Sequence, residues 1–165
     1  MKNIDKFNYC LGIGGANIDI IINSINDIKI HDSNPSKFKI TPGGVMRNIL
    51  ENISKLNEKA ILLTSIGNDD FGKIILEKSI QSGINMDYVY INNDKPSSSY
   101  LAFLDHLNND LFVGASDMTI LDDIPISYFE ENQCLFDNAK IIIIDSNLNE
   151  KTIKEIIKRC KNVIL

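Results

Sequence analysis

The sequence predicts an α/β fold: a parallel sheet sandwiched by helices, with a small antiparallel β unit inserted into it. Three observations predict it. Continuous apolar runs at residues 60–66 and 141–144 read as strands buried on both faces, as parallel sheets require. Helical stripes lie between the strands, and that alternation implies right-handed crossovers. Between residues 88 and 116 the texture changes to short strands joined by a polar turn.

The elements follow in order. Residues 9–14 read as a strand entering a glycine turn, and 18–22 as a strand resuming after it. Residues 31–37 are a loop, and 38–40 a short strand that leads into Gly43 and Gly44. A helix over 44–56 is predicted from the stripe Val45, Ile49, Ile53 and Leu56. After strand 60–66, Asp69 or Asp70 caps a helix over 70–82, and Gly83 suits its left-handed C-terminus. Strands at 88–92, 98–105 and 111–114 follow, the last two joined by the turn 106–110. A short helix is predicted near 127–133, then strand 141–144, then a helical stripe at Ile153, Ile156, Ile157 and Cys160. Val163, Ile164 and Leu165 begin another strand. A chain ending inside an apolar strand leaves an unfinished sheet edge, which predicts the N-terminal part of a longer protein.

Composition narrows the function. The 165 residues are 44% hydrophobic and 24% charged, with a net charge of −5, so the chain is globular. It has no basic run, which argues against a nucleic-acid partner. No apolar run approaches a membrane span and no signal-peptide pattern opens the chain, so no membrane partner is expected. Cys10, Cys134 and Cys160 are widely spaced and fit free thiols in a cytoplasmic protein. His31 and His106 stand alone, so no metal site is predicted.

Chemistry concentrates at two places. Gly43 and Gly44 follow a proline and open a helix, whose N-terminus offers unpaired N–H groups and the positive end of the dipole. The glycines permit close approach of a ligand, and Asn48 lies one turn in, so a polyol, carboxylate or phosphate fits there. A plain glycine turn before a helix is the competing reading. Asn17 and Asp19 interrupt an apolar strand and at period 2 share a face, where a carboxylate can accept sugar hydroxyls. Local satisfaction of backbone groups is the alternative. The dinucleotide reading of Gly12, Gly14 and Gly15 fails, because Asn17 stands where its fingerprint wants glycine. Gly114 to Asp117 lacks a third glycine and reads as a loop from which Asp117 can reach the site. Asn147 to Glu150 looks like an N-x-x-E metal motif, but helix capping by Asn147 or Asn149 is the stronger reading.

Taken together these residues resemble the ribokinase-like (PfkB) carbohydrate kinases. The resemblance rests on Gly-x-x-Asn17-x-Asp19, on Gly43-Gly44-x-x-x-Asn48, on Ile66-Gly67-x-Asp69-x-x-Gly72 and on the inserted β unit, and it covers the chain in order. It implies a ribokinase-like fold with a β lid formed by segments near 31–41 and 88–116. It also implies substrate-binding roles: Asn17 and Asp19 on sugar hydroxyls, Gly43, Gly44 and Asn48 completing the pocket, and Asn147 as a polar contact after the middle strand. Gly-Gly-Val-x-Arg47-Asn48, Ser116-Asp117-Met118 and Asp145-x-Asn147-Leu148 are most similar to pseudouridine kinases. The family's Asp-Thr-x-Gly-Ala-Gly-Asp motif is absent from residues 1–165, so no catalytic residue is assigned; the base and anion hole are expected beyond Leu165.

The expectation is therefore the acceptor half of a kinase that uses ATP and magnesium, both held by parts outside this chain, which alone would be inactive. Tyr100 to Leu104 is apolar on both alternating faces, which predicts a homodimer through the lid. Other readings are a ribokinase or fructokinase specificity, a non-catalytic sugar sensor, and a nucleotide-binding oxidoreductase, which the missing glycine disfavours.

Overall fold

Alternation of side chains along β1 (Tyr9–Ile13) divides the core in two. The structure is a computed structural model that describes residues 8–160. Tyr9, Leu11 and Ile13 point to one face of the sheet, together with Ile61 and Leu63. Ala60 and Leu62 point to the other. Both faces are covered, which is why residues 9–13 and 60–63 are continuously apolar.

The main sheet is wholly parallel, in the order β10-β1-β4-β6. Its other members are β4 (Lys59–Leu63), β6 (Ile84–Asn85) and β10 (Ile141–Ile144). Helices α1 (Val45–Lys55) and α2 (Asp70–Gln81) cover one face, placing Met46, Leu50 and Ile75 against it. The other face is covered by the 3₁₀ turn Thr119–Asp123, α3 (Ile126–Glu131), α4 (Gln133–Asn138) and α5 (Glu150–Arg159). Phe129 and Ile156 are fully buried there, each such side chain contributing about 1.5–3 kcal/mol on burial.

A second sheet of four strands has the order β3-β2-β8-β9, where β2 is Asn17–Ser24, β3 is Ser36–Gly43, β8 is Ser99–Leu104 and β9 is Leu111–Asp117. It is mixed rather than antiparallel, because β2 and β8 run parallel between two antiparallel pairs. A long crossover joins β2 to β8, so no hairpin constrains their direction. Strand β2 is therefore part of this lid-like sheet, whereas Tyr90–Asn92 (β7) leaves it. β7 pairs in parallel with β5 (Ser65–Gly67).

The apolar run at 60–66 divides at Thr64 into strands of two different sheets. Both halves are buried on both sides, so the sequence carried no sign of the switch. The inward stripe of α1 also differs from expectation. Met46, Arg47 and Leu50 are buried and Ile53 packs on the core, whereas Val45 is 57% and Leu56 76% exposed. The helix begins one residue late, at Val45, and its first residue faces out. Asp69 caps α2 and Gly83 adopts φ +90°, both as predicted. The strand predicted at Val163 to Leu165 lies outside the described residues.

Candidate acceptor site

The polar residues gather where the C-terminal ends of the parallel strands meet the lid sheet, the usual place for a ligand in an α/β fold. The turn after β1 (Gly14, Gly15, Ala16) leads directly into β2. Antiparallel pairing of β2 with β3 sets Asn17 opposite Gly43 and Asp19 opposite Thr41. Asn17 is buried, and its Nδ2 donates to Asp19 Oδ1 at 2.7 Å. That bond orients a half-buried carboxylate whose other oxygen lies against the backbone of residue 43: a Cβ there would stand 2.1 Å from Asp19 Oδ2. Only glycine fits at this position while the carboxylate stays where it is.

Gly44 adopts φ +98°, and a Cβ on it would stand 2.5 Å from the Gly15 carbonyl oxygen. Its peptide is thus pressed onto the β1–β2 turn, and Arg47 N–H donates to the same Gly15 oxygen at 3.3 Å. The start of α1 is locked to the turn that carries Asn17 and Asp19. Asn48 lies on the first turn of α1 and is exposed, its N–H donating to Gly44 O at 2.9 Å. Its side-chain oxygen accepts from Arg47 Nη1 at 3.0 Å. The structure therefore brings Asn17, Asp19, Gly43, Gly44 and Asn48 to one place.

Asp145 is a member of this cluster that sequence reasoning did not assign. It closes β10, is 6% exposed, and accepts from Gly15 N–H through Oδ2 at 3.1 Å. A Cβ on Gly14 would meet Asp145 Cβ at 2.2 Å, so the carboxylate is packed tightly under the turn. A lone acidic residue ending a run of four isoleucines was the available signal. Asn147 is exposed two residues on, and its N–H donates to Asp145 Oδ1 at 2.9 Å.

Asp117 is not brought together with the others. The register pairs Asp19 with Tyr100 and Tyr100 with Ser116, so those three share a face. Asp117 pairs with Ser99 on the opposite face and accepts from Thr119 Oγ1 at 2.8 Å. That hydroxyl, with the Thr119 N–H, holds the Asp117 carboxyl below its ordinary pKa. Ser97, which precedes β8, donates through its hydroxyl and its N–H to Asp69, each at 2.7 Å.

Asn147 to Glu150 does not fit a magnesium site. Asn149 caps α5 by accepting from Thr152 N–H at 2.8 Å, and Glu150 pairs with Lys154. Among the described residues no cluster of three or more histidine, cysteine or acidic side chains could hold a metal ion. No helix there is long and apolar enough to cross a membrane.

Residues 8–163 match the family model "pfkB family carbohydrate kinase". The chain belongs to the pfkB family. It is 37% identical over 155 residues to the pseudouridine kinase of Escherichia coli, covering 94% of this chain and 49% of that protein. It is 21% identical over 155 residues to the ribokinase of Bacillus subtilis, covering 93% and 51%. The structure of Arabidopsis thaliana ribokinase complexed with ribose and ATP superposes with a TM-score of 0.83 at 19% identity, over 98% of this chain and 53% of that one. This confirms the ribokinase-like fold. The chain spans about half the length of these relatives.

Proposed function

We propose that this chain forms the acceptor-binding half of an ATP-dependent kinase, and that the full-length protein phosphorylates the 5′-hydroxyl of pseudouridine. The observation that carries the reading is the Asn17–Asp19 pair seated against Gly43. An oriented carboxylate beside a side-chain-free backbone accepts two neighbouring hydroxyls without a steric obstacle. Asn48 at the start of α1 adds an amide from the adjoining wall. Such a site grips a ribosyl ring and fixes the orientation of its primary hydroxyl, and orientation is the larger part of what a phosphotransferase contributes on the acceptor side.

In this reading ATP would supply the phosphoryl group and magnesium would offset its charge, both held by parts of the full-length protein other than this chain. The residues of this chain bind and orient the acceptor, and the chain alone is inactive in this reading. Preference for pseudouridine rests on the 37% identical relative and on Asn147, whose amide offers a donor and an acceptor to a uracil edge. Asp117 takes no part in this reading, because the register sets it on the opposite face of the lid, bonded to Thr119. The lid's far face carries Phe38, Ile22, Phe103 and Val113 in one row across four strands, with Phe38 68% and Val113 50% exposed. A second copy of the chain covers that row in a cytoplasmic homodimer.

A ribokinase or fructokinase specificity is the second reading, because Asp19 and Asn48 recognise hydroxyls common to many sugars. Steady-state kinetics of the full-length protein on pseudouridine, uridine, ribose, fructose and adenosine separates them. The highest kcat/KM is expected for pseudouridine; a higher value for another acceptor reassigns the substrate, and no transfer to any of them removes the kinase reading.

A further inference from the structure

The Arg47 guanidinium is an unusual thing to find in the core, and one of its bonds goes to Asn48, a residue of the proposed acceptor site. Its side chain is 5% exposed, between α1 and α2. Nε donates to Ser79 Oγ on α2 at 3.3 Å. Nη1 pairs with Glu51 at 2.5 Å and donates to Asn48 Oδ1 at 3.0 Å, which uses both of its hydrogens. Glu51 is held in turn by Lys55 at 2.6 Å, so the acidic partner is fixed as well.

From this we infer that Arg47 is a positioning residue that sets which end of the Asn48 amide faces the acceptor. A guanidinium has donors and no acceptor. An amide beside it must turn its oxygen toward the arginine, which leaves Nδ2 as the group presented to a ligand. Among the described residues Nδ2 makes no hydrogen bond. Asn48 therefore meets the acceptor as a donor and takes an oxygen lone pair, whereas Asp19 accepts hydroxyl hydrogens. The two contacts are complementary: one hydroxyl can donate to Asp19 while a ring or neighbouring hydroxyl oxygen accepts from Asn48. Without Arg47 the amide is free to flip, and half of its orientations oppose an acceptor oxygen with its own. Lysine at position 47 would restore the charge beside Glu51, but a point charge cannot serve Ser79, Glu51 and Asn48 together as the planar fork does.

The inference rests on the proposed acceptor site and deepens it. Its test is a double-mutant cycle on the full-length protein, reading KM for pseudouridine, which does not depend on the fraction of enzyme that folds. Asn48→Ala is expected to raise KM about three- to tenfold, the usual worth of one neutral hydrogen bond. Arg47→Met in the wild-type background is expected to raise it comparably, and in the Asn48→Ala background to add less than about twofold. Asn48→Asp keeps an acceptor for Arg47 but removes the donor, and it is expected to resemble Asn48→Ala. An additive effect of Arg47→Met in both backgrounds, or wild-type KM for Asn48→Asp, overturns the orienting role. Wild-type KM for Asn48→Ala instead removes Asn48 from the acceptor site itself. Arg47→Lys serves where the methionine variant gives no soluble protein, and an increase in KM that vanishes in the Asn48→Ala background is expected there too.

Discussion

Adjacent glycines at 43 and 44 give opposite predictions when each is replaced by alanine. The three atoms nearest a Cβ on Gly43 all belong to the Asp19 carboxylate, with Oδ2 at 2.1 Å and Cγ at 2.5 Å. Asp19 is half-buried and can swing toward solvent, so the fold loses little, about 1 kcal/mol for an off-rotamer side chain and a weakened bond to Asn17. The site loses more. Each hydroxyl hydrogen bond to a charged group is worth about 1.5–3 kcal/mol, so displacing the carboxylate lowers kcat/KM about 10- to 100-fold. A Cβ on Gly44 meets backbone instead: the Gly15 oxygen at 2.5 Å and Ala16 Cα at 2.8 Å. Neither can rotate away. The positive φ adds about 1–2 kcal/mol for any L side chain, and overpacking against the β1–β2 turn adds about 1–3 kcal/mol. Gly44→Ala is therefore expected to destabilise by about 2 kcal/mol more than Gly43→Ala. Urea denaturation followed by far-UV circular dichroism measures the stability, and acceptor kinetics on the full-length protein measures the site. Equal destabilisation of the two variants, with Gly43→Ala kinetically normal, would refute the reasoning.

Further outcomes follow from other contacts. Asp69 accepts from Gly72 N–H, Ser97 N–H and Ser97 Oγ; burial alone would raise its pKa, but these bonds outweigh it and hold the carboxyl below its ordinary value. A lowered folded-state value contributes stability above the unfolded value of about 3.9 and loses it as pH falls through the folded value. Wild type should therefore lose more stability than Asp69→Asn between about pH 5 and pH 2 in thermal melts; parallel curves would exclude the link. Gly14→Ala forces a Cβ to 2.2 Å from Asp145 Cβ, so it should be poorly tolerated and partly rescued by Asp145→Gly; additive losses would contradict the contact. Burial raises the Cys10 and Cys160 thiols while Cys134 is exposed. A thiol reagent at mild alkaline pH should label Cys134 first, and mass-mapped labelling of Cys10 at a similar rate would argue otherwise.

The alternation of buried strands and helical stripes made the main sheet legible, because residues buried on both faces leave continuous apolar runs. The presence of a lid was legible too, in short strands joined by a polar turn, but its strand directions were not: pairing of β2 with β8 joins segments separated by α1 and α2, and nothing local encodes that partnership. The orientation of α1 was misjudged because arginine takes an inward position there, held by Ser79 and Glu51 that lie elsewhere in the sequence or one turn on. At the site, Asn17, Asp19, Gly43 and Gly44 were visible as polar or side-chain-free breaks in apolar runs. Asp145 stood out only as an acidic residue ending four isoleucines, and its partner, a backbone N–H at residue 15, is announced by no side-chain pattern. Asp117 was placed by motif position alone, and the register turns it onto the other face of the lid.

The most direct test of the acceptor site is a crystal structure of the full-length protein with pseudouridine or ribose bound. The account predicts two ribosyl hydroxyls within hydrogen-bond distance of the Asp19 carboxylate, one acceptor oxygen on Asn48 Nδ2, and the ring lying over the backbone of Gly43. A ribosyl ring bound elsewhere, with Asp19 free of it, would contradict the account.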